Sequence, residues 1–361
     1  LVARSPLGCC FEVQVMNNTK SIALLILMTS MSACSSLGGG GGGGDNLPNR
    51  GIVPYDRVTT AEGDALHFVL ESDDPSALIY VEPHVLKRDD DTLVLFAEAR
   101  VPATTTGHIV QCELDATLQC LNETVALEAP ADEEDWLNQR VGAPSVLRLE
   151  DGTWLMVFAF GQGDGLGLAT SVDGVDFVHH DLPLLKASGA YEAGGIDSPS
   201  VVMGPNGYRL YYEARDDDGV TRILFAEGDE TFSFERVGVA LDVGTGCDDV
   251  AEQPEACWDG SGVASPEVRV AITAAGRTVY RLFYTGFGEA GFNLGFGASW
   301  DGERFERFIY NPVIATEAVE RQPTNVRVLD RYILLFEERT SNTVRGIAAA
   351  INDAPSPSEQ F

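Results

Sequence analysis

One phrase returns five times along this chain of 361 residues. It reads Glu82-Pro83-His84-Val85, Ala143-Pro144-Ser145-Val146, Ser198-Pro199-Ser200-Val201, Ser265-Pro266-Glu267-Val268 and, more loosely, Gln322-Pro323-Thr324-Asn325-Val326. The prolines recur about every 60 residues, and a period of that order with several strands per unit is the mark of sheets repeated around an axis.

After each proline comes a short apolar run, then a polar turn and a second run. The second runs are Leu93-Val94-Leu95-Phe96, Trp154-Leu155-Met156-Val157-Phe158, Tyr208-Arg209-Leu210-Tyr211-Tyr212, Tyr280-Arg281-Leu282-Phe283-Tyr284 and Tyr332-Ile333-Leu334-Leu335-Phe336. Third runs follow, for example Thr221 to Ala226 and Asn293 to Gly297, and Phe177, Phe234 and Phe305 open fourth ones. Ser171-Val172-Asp173-Gly174 and Ser299-Trp300-Asp301-Gly302 supply the positive-φ turns that tight hairpins need. β-branched and aromatic residues dominate, no helical period is sustained, and the prolines fall at strand starts, where a missing N–H is tolerated. The expected fold is all-β: a five-bladed β-propeller of about four antiparallel strands per blade, closing as one unit over residues 49–361. The apolar stretch from Ala65 to Leu70 is placed to complete the last blade from outside.

Fifty-five acidic against 24 basic residues give a net charge of −31. A nucleic-acid partner needs a surface of the opposite sign and is excluded. The acid-rich, lysine-poor surface reads as a solubility device. Asp89-Asp90-Asp91 and Asp216-Asp217-Asp218-Gly219 read as solvated hairpin tips, since the second lacks the spacing of an EF-hand loop. No cofactor and no metal is expected, and the chain is expected to act as a monomer.

Residues 1–33 read as an upstream extension and signal. Met16-Asn17-Asn18-Thr19-Lys20 leads into the apolar run Ile22 to Met28, which is too short to span a bilayer, and then into Met31-Ser32-Ala33-Cys34. This resembles a bacterial lipoprotein signal, and the resemblance implies cleavage before Cys34, acylation of that cysteine and anchoring at the cell envelope, with Ser35 favouring an outer membrane. Residues 34–48, with glycines from Gly38 to Gly44, read as a flexible tether. In an exported head, Cys112 with Cys120 and Cys247 with Cys257 are placed to form two local disulfides; zinc is the rival, without any C-x-x-C or H-E-x-x-H to accompany it.

Side chains alternate along a regular strand, so residues flanking each proline should share the face that lines the centre. That makes Glu82, His84, Ser145, Ser198, Ser200, Ser265, Glu267, Gln322 and Thr324 candidates, with Asp197 re-aimed by Gly194-Gly195. On these residues the chain, over roughly 65–355, resembles the five-bladed glycosidase superfamily of glycoside hydrolase family 43 and its relatives acting on arabinans, xylans and fructans. The resemblance implies that Glu82 stands at the general base, where the family generally has aspartate, and that Asp197 is the acid that orients the sugar and tunes its neighbour. The family's general acid is a glutamate two before a later proline; Ala264 stands there, and Glu267 is the candidate in its place. Hydrolysis of a glycosidic bond needs one carboxyl to protonate the leaving oxygen and another to activate water. The alternative for these groups is strand-end ion pairing, Glu82 with Lys87 or Arg100 and Glu267 with Arg269 or Arg321.

Trp136, Tyr191 and Trp258 each lie eight residues before a proline. Three rings around one mouth would form a sugar platform with Arg140, Glu192 and Asp259 beside them, and packing between blades would give the same offset. Glu98-Ala99-Arg100, Glu213-Ala214-Arg215 and Glu337-Glu338-Arg339 read as repeated structural ion pairs. Two functions follow: a lipid-anchored glycoside hydrolase acting on a poly- or oligosaccharide, or a non-catalytic propeller binding a glycan or a protein at the same mouth.

Overall fold

The computed structural model describes residues 55–57, 67–72 and 78–353, short loop stretches within the last range excepted. Strands β1 (Asp56–Arg57) and β2 (His67–Ser72) precede a series of antiparallel meanders, each opened by one of the proline phrases. The first is β3 (Ile79–Lys87), β4 (Leu93–Arg100), β5 (Gly107–Leu114) and β6 (Cys120–Leu127). The second is β7 (Val141–Arg148), β8 (Trp154–Phe160) and β9 (Gly165–Ser171), with the short β10 (Val178–His179) and β11 (Leu185–Lys186) both pairing with β9. The third is β12 (Gly195–Gly204), β13 (Gly207–Arg215), β14 (Thr221–Gly228) and β15 (Phe234–Leu241). The fourth is β16 (Gly262–Ile272), β17 (Thr278–Gly288), β18 (Gly291–Ser299) and β19 (Glu306–Arg307), joined to the third by one parallel pair, Thr221 with Gly262.

The last meander, β20 (Val319–Val328), β21 (Arg331–Arg339) and β22 (Arg345–Asp353), is completed from the other end of the chain. Both β1 and β2 pair antiparallel with β22, as the apolar stretch after Ala65 led us to expect. Pairing the first strands with the last leaves no free edge on β22 and ties the two ends of the sheet series together.

Buried side chains follow the same order. Among the described residues, apolar clusters lie between neighbouring meanders: Phe96 and Ile109 meet Met156 and Phe158, Leu155 and Leu168 meet Leu210 and Tyr212, Tyr211 and Phe225 meet Leu282 and Tyr284, and Phe283 and Phe296 meet Leu334 and Phe336. A further cluster brings Leu335 and Ile347 of the last meander against Val85 and Leu95 of the first. Each meander thus buries both faces against its neighbours, which is why its strands read as nearly continuous apolar runs rather than as simple alternation.

The hairpins close as their residue types dictate. Gly174 and Gly302 both have φ of 75°, and in each turn a serine hydroxyl, Ser171 or Ser299, accepts the glycine N–H and donates to the intervening aspartate. Cys112 and Cys120 form the expected disulfide. Cys257 is also disulfide-bonded, while its expected partner Cys247 and the acylation candidate Cys34 lie outside the described residues.

Candidate active site

The strands that carry the proline phrases are not regular. In every one, the residue before the proline has a left-handed backbone: Glu82 φ 54°, Ala143 47°, Ser198 46°, Ser265 47° and Gln322 53°. The ladder shifts at the same points. Val81 pairs with Glu98 and His84 with Phe96, so Glu82 and Pro83 together oppose the single residue Ala97. The same two-against-one bulge recurs opposite Phe158, Tyr212, Tyr284 and Phe336. A proline fits there because its missing N–H has no ladder partner to lose, and a positive φ on a non-glycine residue costs roughly 1–3 kcal/mol unless its surroundings enforce it.

The bulge corrects the expectation that residues before and after each proline share one face. It sorts them into two layers that meet at the ring of prolines, where residues of both layers border one narrow pocket. Residues one and two places before the proline, among them Glu82, Asp197, Ser198, Ser265, Arg321 and Gln322, line a cleft that encloses about 1000 Å³ including the solvent at its mouth. Residues just after the proline form an inner ring of bonds between meanders. Ser145 Oγ accepts the Val201 N–H, Ser200 Oγ the Val268 N–H and Thr324 Oγ1 the Val85 N–H, while His84 Nε2 lies 3.1 Å from the Val146 carbonyl.

Glu82 and Asp197 meet in the cleft at one guanidinium. Arg140, itself buried, makes a bidentate pair with Glu98 (3.1 and 2.8 Å), reaches Asp197 Oδ2 at 2.9 Å and lies 3.7 Å from Glu82 Oε1. Gly142 and Gly107 make room for it, since a Cβ on Gly142 would stand 1.9 Å from Glu98 Oε2. Gln322 holds Glu82 twice: its Oε1 accepts the Glu82 N–H at 3.0 Å and its Nε2 donates to Glu82 Oε1 at 2.6 Å. The other oxygen, Oε2, is buried with no hydrogen-bond partner among the described residues. Burial, and then the charges of Asp197 and Glu98, raise the Glu82 pKa well above the usual carboxylate range, against Arg140 and Arg100.

A third carboxyl stands in the cleft, one that the sequence pattern had assigned to an ion pair. Glu213, on β13, is the direct cross-strand partner of Asp197 on β12. Burial and the Asp197 charge push its pKa up to about 7, against the Ser265 N–H, which donates to Glu213 Oε2 at 3.3 Å, and against Arg321 and Arg215. Of its two look-alikes, Glu98 is bound to Arg140, and Glu337 faces Arg321 with 3.9 Å between them. The distinguishing signal was the opposite residue, an aspartate, which only the bulged register reveals.

Glu267 shares a narrow central pocket with Glu82 and His84 but does not line the wider cleft with Asp197 and Glu213. It belongs to the inner ring, where Arg269 Nη2 lies 2.5 Å from Oε1, Thr324 Oγ1 donates to Oε1 at 3.2 Å and His84 Nδ1 lies 3.6 Å from Oε2. Burial works to raise its pKa, but Arg269, then His84 and the hydrogen bonds, overcome that and leave it lowered. His84 is likewise committed to this ring and not to the cleft wall.

The repeated aromatics are also corrected. Trp136 packs on Phe158, Phe160 and His179, and Trp258 is buried against Tyr284. Tyr191 is half-exposed on a short turn, Ala190–Glu192, with the Arg222 guanidinium over its ring. None of the three lines the cleft. In two meanders the next residue explains the offset: Glu192 accepts from the Tyr212 hydroxyl and Arg236, and Asp259 from the Tyr284 hydroxyl and Arg307. These acids anchor the entering loop to the tyrosine that faces each bulge. The cleft's own aromatic wall is Phe287 and Phe292, 5.1 Å apart between centroids, at the β17–β18 hairpin.

No protein-family model and no curated protein matches the chain by sequence. Solved structures do match in fold. A structure of BT0996 in complex with RGII shares 15% identity at a TM-score of 0.61, covering 85% of this chain and 93% of that one. A thermostable family-43 glycoside hydrolase shares 13% at 0.58, covering 76% and 89%. Zg3597, a family 117 glycoside hydrolase from the marine bacterium Zobellia galactanivorans, shares 13% at 0.56, covering 84% and 90%. The chain is all-β, and its structural neighbours are propeller-type glycoside hydrolases.

Proposed function

We propose that the meanders are the blades of a five-bladed propeller and that this chain is a glycoside hydrolase acting on a poly- or oligosaccharide. The observation that carries the reading is the convergence of Glu82, Asp197 and Glu213, from three strands, on one cleft with an aromatic wall. Glu213, in place of Glu267, takes the role of general acid. With a pKa near 7 it keeps a proton in a large fraction of molecules at neutral pH and can pass it to the leaving glycosidic oxygen as the C–O bond breaks. Asp197, directly opposite, favours that protonated form by like-charge repulsion.

Glu82 is the general base: it takes a proton from the water whose oxygen bonds to the anomeric carbon. Burial and the charges of Asp197 and Glu98 raise its pKa, which makes the carboxylate a stronger base once ionised, and the Gln322 amide and Arg140 pull toward that ionised form. Arg140 and Gln322 are positioning residues, and Phe287 and Phe292 offer an apolar face to a sugar ring. The lipoprotein-like start supports export, acylation at Cys34 and lipid anchoring of the enzyme at the cell envelope.

The test is release of reducing sugar from a panel of polysaccharides and chromogenic glycosides by the protein and by Glu82→Gln. We expect release from at least one substrate and a fall of about 100-fold or more in the variant. No release from any substrate would leave the cleft as a binding site only.

A further inference from the structure

The cleft is the wrong charge for this protein. The chain carries 55 acidic residues against 24 basic ones, yet among the described residues the cleft is lined by four arginines, Arg100, Arg140, Arg215 and Arg321, against three carboxyls. Arg140 is consumed by Glu98 and Asp197. The other three are only partly used: Arg100 Nη1 lies 3.5 Å from Glu98, and Arg215 donates Nε and Nη2 to the Gly194 carbonyl.

Arg321 is the least committed. Among the described residues its Nε is buried without a hydrogen-bond partner, its carboxylate contact is Glu337 at 3.9 Å, and its guanidinium lies 5.4 Å from the centroid of the Phe292 ring. A planar cation beside an aromatic wall, with its side chain one-third exposed to the cleft, suits bidentate recognition of a carboxylate or sulfate. Its position is also informative, because Arg321 and Asp197 stand at equivalent places, two before their prolines, and line the same cleft.

We infer that the glycan taken by this cleft carries an anionic substituent, a carboxylate or a sulfate ester, seated on Arg321 beside Phe292. The inference rests on the proposal that this cleft is the sugar site. An anion there would offset two cations, Arg321 and Arg215, that work against the proton on Glu213, so the substrate would help to keep its own acid loaded. A neutral sugar of the same shape would leave Arg321 with only the distant Glu337 carboxylate and the Phe292 ring among the described residues. The acidic surface elsewhere would repel such a polymer and leave the cleft as its point of entry.

Calorimetric titration separates this inference from the hydrolase reading, because binding needs no turnover. The probes are oligosaccharides of uronic acids with their carboxyl-reduced counterparts, and sulfated oligosaccharides with their desulfated counterparts. We expect one anionic form to bind at least tenfold more tightly than its neutral counterpart, and the member that does so identifies the substituent. Arg321→Gln should bring the anionic form's affinity down to within about twofold of its neutral counterpart's in the same variant, and Arg321→Lys, which keeps the charge but not the fork, should restore part of the preference. Equal binding of anionic and neutral forms, a preference that survives Arg321→Gln, or no binding of any anionic form would overturn the inference. Preference without hydrolysis would overturn only the hydrolase reading; hydrolysis at equal rates on neutral and anionic substrates would overturn only this one.

Discussion

Asp197 and Glu213 face each other directly across the β12–β13 ladder, two carboxyls in register, with Arg140 bound to Asp197 at 2.9 Å. Burial of Glu213 first, and then the like charge placed opposite it, raise the cost of ionising it. The consequence can be read from stability. A carboxyl raised from 4.5 to about 7 in the fold favours the folded state in full below pH 4.5, and that contribution is lost as pH rises toward and through 7. The size is at most about 3 kcal/mol, less what solvent screening removes from a side chain partly open to the cleft. Denaturant unfolding between pH 4 and 8 should show this decline in the protein and a flatter profile in Glu213→Gln. Parallel profiles would show that Glu213 titrates as an ordinary carboxyl.

Gln322 reaches across from the last meander to the first to hold both the N–H and the carboxylate of Glu82. Gln322→Leu should cost roughly 1–3 kcal/mol, since two buried polar groups lose their partner. It should also move the acid limb of the activity profile to higher pH, because the charged form of Glu82 loses a donor. A stability loss without that shift would leave Gln322 a purely structural clasp.

Gly142 is needed for its lack of a side chain rather than for its backbone angles. Gly142→Ala would place a Cβ 1.9 Å from Glu98 Oε2 and 2.4 Å from its carboxyl carbon, which forces Glu98 off Arg140. Disturbing a buried, bidentate pair should cost about 3 kcal/mol, visible as a clear fall in melting temperature. Because Arg140 also holds Asp197, activity should fall with it. Unchanged stability would mean that the Glu98–Arg140 pair contributes little.

The sequence made the repeat legible because proline, aromatic and Asp-Gly positions recur for local reasons: a missing donor, a buried strand end, a tight turn. The bulge was not legible. A residue before proline is ordinarily pushed to the extended region, and the left-handed values at Glu82, Ala143, Ser198, Ser265 and Gln322 arise only where the phrases converge on one pocket. Assuming regular alternation treated Glu82 and Glu267 alike; both border the narrow central pocket, but Glu267 is bound to Arg269 in the inner ring while Glu82 also lines the wider cleft with Asp197 and Glu213. The same missing register hid Glu213 among three similar triplets, although the residue opposite each one, Val81, Asp197 or Arg321, distinguishes them. Of the two readings of the shared offset at Trp136 and Trp258, packing is the one observed: an offset repeated between meanders marks shared architecture, and these rings pack on Phe158 and Tyr284.

The most direct test of the central claim compares leaving groups. Glu82→Gln, Glu213→Gln and Glu267→Gln should be assayed on a natural glycan and on an aryl glycoside whose leaving group needs no protonation. If Glu213 is the acid, Glu213→Gln loses about 100-fold or more on the glycan and far less on the aryl glycoside, Glu82→Gln loses activity on both, and Glu267→Gln shows no dependence on the leaving group. Equal losses on the two substrates for Glu213→Gln, or leaving-group dependence in Glu267→Gln instead, would contradict the assignment.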